Sequence, residues 1–128
     1  IEINFYNKLK RDIIFECDIE QLNRVIFNLL KNSIESINDK YQKNLDFKGI
    51  INVEISRTKH YINIIINDNG IGFANENKKD LIKPYYTTKK KGSGLGLSIV
   101  NKIITDHNGI LKLSNFKNGA KVEIIFNT

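Results

Sequence analysis

Two stretches, Ile50–Ser56 (IINVEIS) and Tyr61–Asn67 (YINIIIN), decide the fold. Each is a short run rich in Ile and Val, and Arg57-Thr58-Lys59-His60 between them is polar, so the pair reads as a β-hairpin. Upstream, the polar segment Asn38–Gly49 reads as a loop with room for an extra helical turn. Before that loop, Asp18 followed by Gln21 resembles a capping box. Leu22, Val25, Ile26, Leu29, Leu30, Ile34 and Ile37 then recur at spacings of three and four, which is the core-facing stripe of a helix. Residues 1–7 and 12–17 alternate apolar with polar and read as two strands, with Lys8–Arg11 turning between them.

Downstream of the hairpin, Asp68–Lys91 is irregular, with a glycine-rich turn and the only proline, Pro84. A second helix is predicted from about Gly94 to His107, with Ile99, Val100, Ile103 and Ile104 inward and Asn108-Gly109 as its stop. Ile110–Phe116 and Ala120–Phe126 form a closing hairpin around Lys117-Asn118-Gly119. About six strands, paired mainly as hairpins, and two long helices give an α+β two-layer sandwich with the helices on one face of a mixed sheet. No internal repeat or low-complexity linker interrupts it.

The 128 residues suit one domain with a real core, and 41% hydrophobic with 27% charged residues is ordinary for a soluble globular chain. No run approaches the apolar length of a membrane span, and no charged-then-apolar leader is visible. The chain starts at Ile1 and has no methionine, so a fragment of a longer protein is expected. Cys17, the single cysteine, has no internal disulfide partner, and its alternating apolar run favours a buried strand position over a reactive thiol. The net charge of +6 admits a nucleic-acid or anionic-lipid partner. Against that, the lysines are scattered through a chain rich in Ile, Asn and Lys, a compositional bias. The one cluster, Lys89-Lys90-Lys91, sits beside a glycine loop.

Three short segments carry chemistry. On the first helix Asn28 and Asn32 are four apart and share a face. Amide oxygens suit a hard cation such as Mg²⁺ when phosphates supply the negative charge. Taken alone, two surface asparagines in an asparagine-rich chain are the better account. Asp68-Asn69-Gly70-Ile71-Gly72 follows an apolar strand, so an acid and two glycines can approach a flat ligand closely. A carboxylate there accepts from an adenine amino group and meets an acceptor on guanine. A plain Asp-Asn-Gly turn is the alternative. Gly92-Ser93-Gly94-Leu95-Gly96-Leu97-Ser98 leads into the second helix and exposes backbone N–H groups at a positive dipole end, a cradle for phosphate. Its spacing fits neither the dinucleotide fingerprint nor a Walker loop, and a flexible hinge does not explain three alternating glycines.

Together, in this order, the segments resemble the GHKL ATP-binding superfamily with its Bergerat-type fold, and within it the histidine kinase catalytic domain. Asn28–Asn32 is similar to the N box, Asp68-x-Gly70-x-Gly72 to the G1 box and Gly92-x-Gly94-Leu95-Gly96-Leu97 to the G2 box, while Lys83-Pro84-Tyr85-Tyr86-Thr87-Thr88-Lys89 resembles the F box. The resemblance covers roughly residues 18–116. The segment Leu81–Gly109 and the short spacing between Gly72 and Gly92 are similar to the NtrY-like nitrogen-regulation group. Departures are Ile82 and Lys83, where this group often has a polar residue and Glu, and Ser33, where alanine is frequent.

The resemblance implies ATP and Mg²⁺ as cofactors. Asn32 would ligate the metal and, with Lys89, serve catalysis; Asn28 would contact phosphate or a metal-bound water. Asp68 would read adenine, helped by a water near Gly72 and Thr88. Gly70 lies in the same box, and Gly92, Gly94, Leu95, Gly96 and Leu97 form the loop whose N–H groups cover the phosphates. Lys89, with Lys90 and Lys91 as alternates, would neutralise the γ-phosphate or else be solvated. ATP-hydrolysing relatives on this fold carry a glutamate one turn before the N-box Asn, and here that place is Asn28, which takes no proton. Phosphotransfer to an imidazole on a separate dimerisation domain is therefore expected over hydrolysis. His60, in a turn, and His107, at a helix end, read as structural or solvated, not as that acceptor.

The expected setting is the cytoplasmic part of a bacterial inner-membrane sensor kinase, homodimeric, serving a response regulator, with no nucleic acid. Rivals are a non-catalytic ATP-binding module and another kinase or ATPase of the same superfamily. A nucleic-acid binder is the third, lacking an interleaved aromatic platform.

Overall fold

In the computed structural model, which describes residues 1–73, 81–82, 96–117 and 119–127, Asp18 opens the longest element. Its backbone is extended and its carboxylate accepts the N–H of Gln21 at 3.1 Å, which caps α1 (Ile19–Lys43). The other elements are β1 (Glu2–Asn7), β2 (Ile50–Arg57), β3 (Tyr61–Asp68), α2 (Gly96–Asp106), β4 (Gly109–Phe116) and β5 (Gly119–Asn127). They form a five-stranded sheet of order β1-β2-β3-β5-β4, with β1 parallel to β2 and every other pair antiparallel. Both helices contribute to one core on one face of this mixed sheet, so the α+β two-layer reading holds.

Register explains which face is buried. Val53 lies opposite Ile66, Ile55 opposite Ile64, and Ile66, Ile64 and Ile62 continue across to Val122, Ile124 and Phe126. These alternate residues meet Val25, Leu29 and Ile37 of α1 and Val100, Ile103 and Ile104 of α2. Each fully buried aliphatic side chain contributes about 2 kcal/mol. The ion pairs are minor beside that: Lys8–Glu54 and Lys102–Asp106 are both solvent-accessible, and such pairs contribute under about 1 kcal/mol. Among the described residues no helix is long and apolar enough to cross a membrane.

The structure corrects four expectations. Residues 12–17 form no strand. They run as an irregular strap in which Ile13 and Phe15 pack on the core and Ile14 is wholly exposed. Phe15 sets its ring 4.9 Å from that of Phe126. One-sided packing satisfies the alternation without a ladder, and Cys17 is only half-buried there. The neighbour of β1 is β2, reached across the whole of α1, so the described sheet has five strands and one parallel pair. Finally, α1 runs on to Lys43, through much of the segment read as loop; Lys40 and Lys43 in its last turn suit the negative end of the helix dipole. Within α1 the stripe also turns by one residue. Ser33 is 3% exposed in line with Val25, Leu29 and Ile37, while Ile34 is 36% exposed.

His107, beyond the last turn of α2, ties the two helices together. Its Nε2 accepts the N–H of Asp18 at 3.1 Å and its Nδ1 lies 2.8 Å from the carbonyl of Ile103. Both bonds form only if the imidazole is neutral with its proton on Nδ1. Asp18 thus gives its N–H to His107, where a reciprocal capping box would give it to Gln21. His107→Ala is expected to cost about 1–2 kcal/mol through the lost pair of bonds. Urea unfolding measures that cost, and imidazole ¹⁵N shifts of the unsubstituted chain read the tautomer directly.

Candidate functional site

β3 ends on a carboxylate that is 8% exposed, Asp68. Its Oδ1 accepts the N–H of Gly70 at 2.9 Å and that of Ala120, on β5, at 3.4 Å. Both bonds fall on one oxygen, and among the described residues the other takes no part in holding the turn. The turn itself lies directly on α1. A Cβ on Gly70 would come 2.3 Å from Ser36 Oγ and 2.6 Å from the Ser36 backbone carbon, so only glycine allows this approach.

The residues after Asp68 are fastened on three sides. Ser36 Oγ accepts the N–H of Ile71 at 2.9 Å, and Lys40 Nζ donates to the carbonyl of Asn69 at 3.0 Å. Asn69 extends the sheet with its side chain. Its Oδ1 accepts the N–H of Ile50 at 2.7 Å, its Nδ2 donates to the carbonyl of Lys48 at 3.0 Å, and its backbone N–H donates to Ile50 at 3.2 Å. Gly72 follows with a φ of +76°. Phe73 is then held at both backbone groups by one amide: Asn115 Oδ1 accepts its N–H at 2.8 Å and Asn115 Nδ2 donates to its carbonyl at 3.0 Å.

Asn28 and Asn32 are half-buried on α1, two turns and one turn before Ser36, which touches the turn. The asparagine pair and the Asp68 turn thus come to the same flank of α1. α2 packs on α1 with its C-terminal end pinned to the start of α1 through His107, so Gly96 is the end farthest from that pin. Among the described residues, a Cβ on Gly96 would meet nothing within 4 Å. Leu97 packs against the core. Thr88, Lys89, Lys90, Lys91, Gly92, Gly94 and Leu95, with the whole stretch resembling an F box, lie outside the described residues. The sequence reading missed Ser36, Lys40 and Asn115. For the first two a signal exists, since they continue the four-residue spacing Asn28, Asn32, Ser36, Lys40 along one flank of the helix. For Asn115, on the far edge strand, there is none.

The donor set is chemically coherent. A buried carboxylate, two amide side chains and the open start of a helix offer, respectively, an acceptor for a base amino group, neutral oxygen ligands for a hard cation, and backbone donors for phosphate.

Comparison with known proteins points the same way. The family described as histidine kinase-, DNA gyrase B-, and HSP90-like ATPase matches residues 17–128. An NtrY-like sensor histidine kinase of Rickettsia bellii is 40% identical over 114 residues, covering 88% of this chain and 18% of that protein. Sporulation kinase B of Bacillus subtilis is 36% identical over 114 residues, covering 88% of this chain and 25% of that one. The chain therefore spans a quarter or less of the length of these curated relatives. The catalytic domain of histidine kinase ThkA superposes with a TM-score of 0.79 at 28% identity, over 98% of this chain and 80% of that chain. The chain belongs to the histidine kinase-, DNA gyrase B- and HSP90-like ATPase family, with NtrY-like sensor histidine kinases among its relatives.

Proposed function

We propose that this chain binds Mg-ATP and donates the γ-phosphate to a histidine on a separate dimerisation domain, as the catalytic domain of a two-component sensor kinase. The observation that carries the reading is the Asp68 turn. Among the described residues it holds a buried carboxylate by one oxygen, against the same helix flank that presents Asn28 and Asn32. Asp68 accepts from the adenine amino group with its other oxygen, and the turn around Gly70 and Gly72 lets the base approach the backbone. Asn32 offers its amide oxygen to Mg²⁺, which screens the phosphate charge when bound, and Asn28 serves phosphate or a metal-held water. Thr88 assists base recognition. Gly92, Gly94, Leu95, Gly96 and Leu97 belong to the phosphate-covering loop, and Lys89 neutralises the γ-phosphate.

An amide at position 28 takes no proton from water, so the chain's own residues favour an external nucleophile over hydrolysis. On this reading residues 1–128 are one catalytic and ATP-binding domain of a longer, homodimeric kinase. That kinase sits with this domain on the cytoplasmic side of a bacterial inner membrane and passes phosphate to a response regulator. Calorimetry on the chain tests the nucleotide half. Mg-ATP is expected to bind at least about tenfold more tightly than Mg-GTP, because an acceptor facing the guanine oxygen leaves both unpaired. Asn32→Ala is expected to abolish the Mg²⁺ dependence. Equal affinity for the two nucleotides, or none for either, overturns the assignment.

A further inference from the structure

Lys40 stands on α1 two turns beyond Asn32, half-buried, with its ammonium 4.7 Å from the centre of the Phe47 ring. Its reach into the Asp68 turn is specific. Nζ lies 3.0 Å from the carbonyl oxygen of Asn69 and 3.5 Å from that of Gly70. The Asn69 carbonyl and the Gly70 N–H belong to one planar peptide group, whose oxygen and hydrogen point in opposite directions. That N–H donates to Asp68 Oδ1 at 2.9 Å. One rigid plane is therefore gripped at both ends, by Lys40 on one side and by Asp68 on the other. The next plane repeats the pattern: the Gly70 carbonyl faces Lys40, and the Ile71 N–H donates to Ser36 Oγ at 2.9 Å.

We propose that Lys40 is a positioning residue for base recognition: through the Asn69–Gly70 peptide plane it fixes the direction of the Asp68 carboxylate. This rests on the reading of Asp68 as the adenine acceptor. The physical case is direct. Two successive carbonyls aimed at one point repel each other, and the ammonium makes their convergence favourable. Glycine at position 70 leaves that plane free of a side-chain constraint, so without Lys40 the plane itself is held by the Asp68 bond alone. A rotated plane takes the Gly70 N–H away from Asp68. The carboxylate then keeps only the longer bond from Ala120, at 3.4 Å, and loses its fixed direction. A surface lysine would show none of these linked contacts.

Two measurements test this on the whole 128-residue chain. Amide hydrogen exchange in Lys40→Met, which keeps the aliphatic stem and removes the donor, is expected to quicken at Gly70 and Ile71 while the amides of β2 and β3 stay protected. Calorimetry is expected to show affinity for Mg-ATP falling about tenfold, the ATP-to-GTP ratio shrinking with it, and binding of Mg-tripolyphosphate unchanged. Lys40→Arg, whose guanidinium can bridge both carbonyls, is expected to restore exchange protection and the ratio. Unchanged exchange at Gly70 overturns the peptide-plane coupling whatever the nucleotide does. Quickened exchange with an unchanged ATP-to-GTP ratio overturns the link to recognition. An equal loss for tripolyphosphate marks Lys40 as merely structural. If the unsubstituted chain does not prefer ATP, the Asp68 reading itself fails, while the exchange data still test the peptide-plane coupling on their own.

Discussion

Asp68→Asn is expected to leave the fold intact and remove the choice of base. Affinity for Mg-ATP falls by about 100-fold while affinity for Mg-GTP stays level or rises. Oδ1 alone accepts from Gly70 and Ala120, and an asparagine carbonyl can accept both bonds, so the turn survives. The second carboxylate oxygen becomes an NH₂ group. Facing an adenine amino group it sets donor against donor, while facing the guanine oxygen it becomes a match. Asp68→Ala is a different experiment. It strands two donors, and each buried N–H without a partner costs about 1–3 kcal/mol, so affinity and stability fall together. Calorimetry with both nucleotides, beside a thermal melt of each variant, separates the two effects. Wild-type affinity for ATP in Asp68→Asn, with an unshifted melt, removes Asp68 from base recognition.

What could be read in advance divides along the range of the forces involved. The start of α1 was legible because capping is local: Asp18 and Gln21 are three residues apart, and their bond forms as expected. The hairpins β2–β3 and β4–β5 were legible for the same reason, since each turn lies between its own strands. The pairing of β1 with β2 was not. It is parallel and is decided by how α1 packs, so no short window contains it. Residues 12–17 show a limit of period-two patterns, because alternation records one buried side and says nothing of a ladder partner. Ser33 shows the converse limit. Hydrophobicity alone placed Ile34 in the stripe, whereas the geometry of α1 against the sheet put a small hydroxyl side chain there.

The candidate site follows the same division. Asp68, Gly70 and Gly72 stood out because they sit together in one short segment, and the structure shows that segment built around a buried carboxylate. The groups that hold it are scattered. Ser36, Lys40, Asn115 and Ala120 come from α1, β4 and β5, at separations of roughly thirty to fifty residues, and each meets the turn through backbone groups. Bonds from a side chain to a backbone group leave no trace in residue type, because every residue but proline offers the same N–H and carbonyl. The turn was visible, and its support was not.

Among the glycines of the described residues, Gly119→Ala is expected to be the most damaging, lowering stability by about 3 kcal/mol or more and the melting temperature by about 10 °C or more. A Cβ at Gly119 would lie 1.7 Å from the carbonyl oxygen of Asp68, 2.6 Å from its carbonyl carbon and 2.8 Å from the Cα of Asn69. All three are backbone atoms, so no side-chain rotation relieves the clash. Either β5 moves away from the end of β3 or the Asp68 turn moves, and in both cases the Ala120 N–H leaves the carboxylate. Sequence reading treated Gly119 only as a hairpin turn, while it singled out Gly96 as part of the phosphate loop. The two glycines should therefore part in opposite directions. Among the described residues a Cβ at Gly96 meets nothing within 4 Å, and the residue is helical, so Gly96→Ala is expected to be neutral or stabilising by up to about 1 kcal/mol. If that open space admits phosphate, Gly96→Ala weakens Mg-ATP without lowering the melting temperature, whereas Gly119→Ala lowers both. Equal melting temperatures for the two variants would mean that β5 can shift at its start, and that the position of Asp68 does not depend on the close approach of these strands.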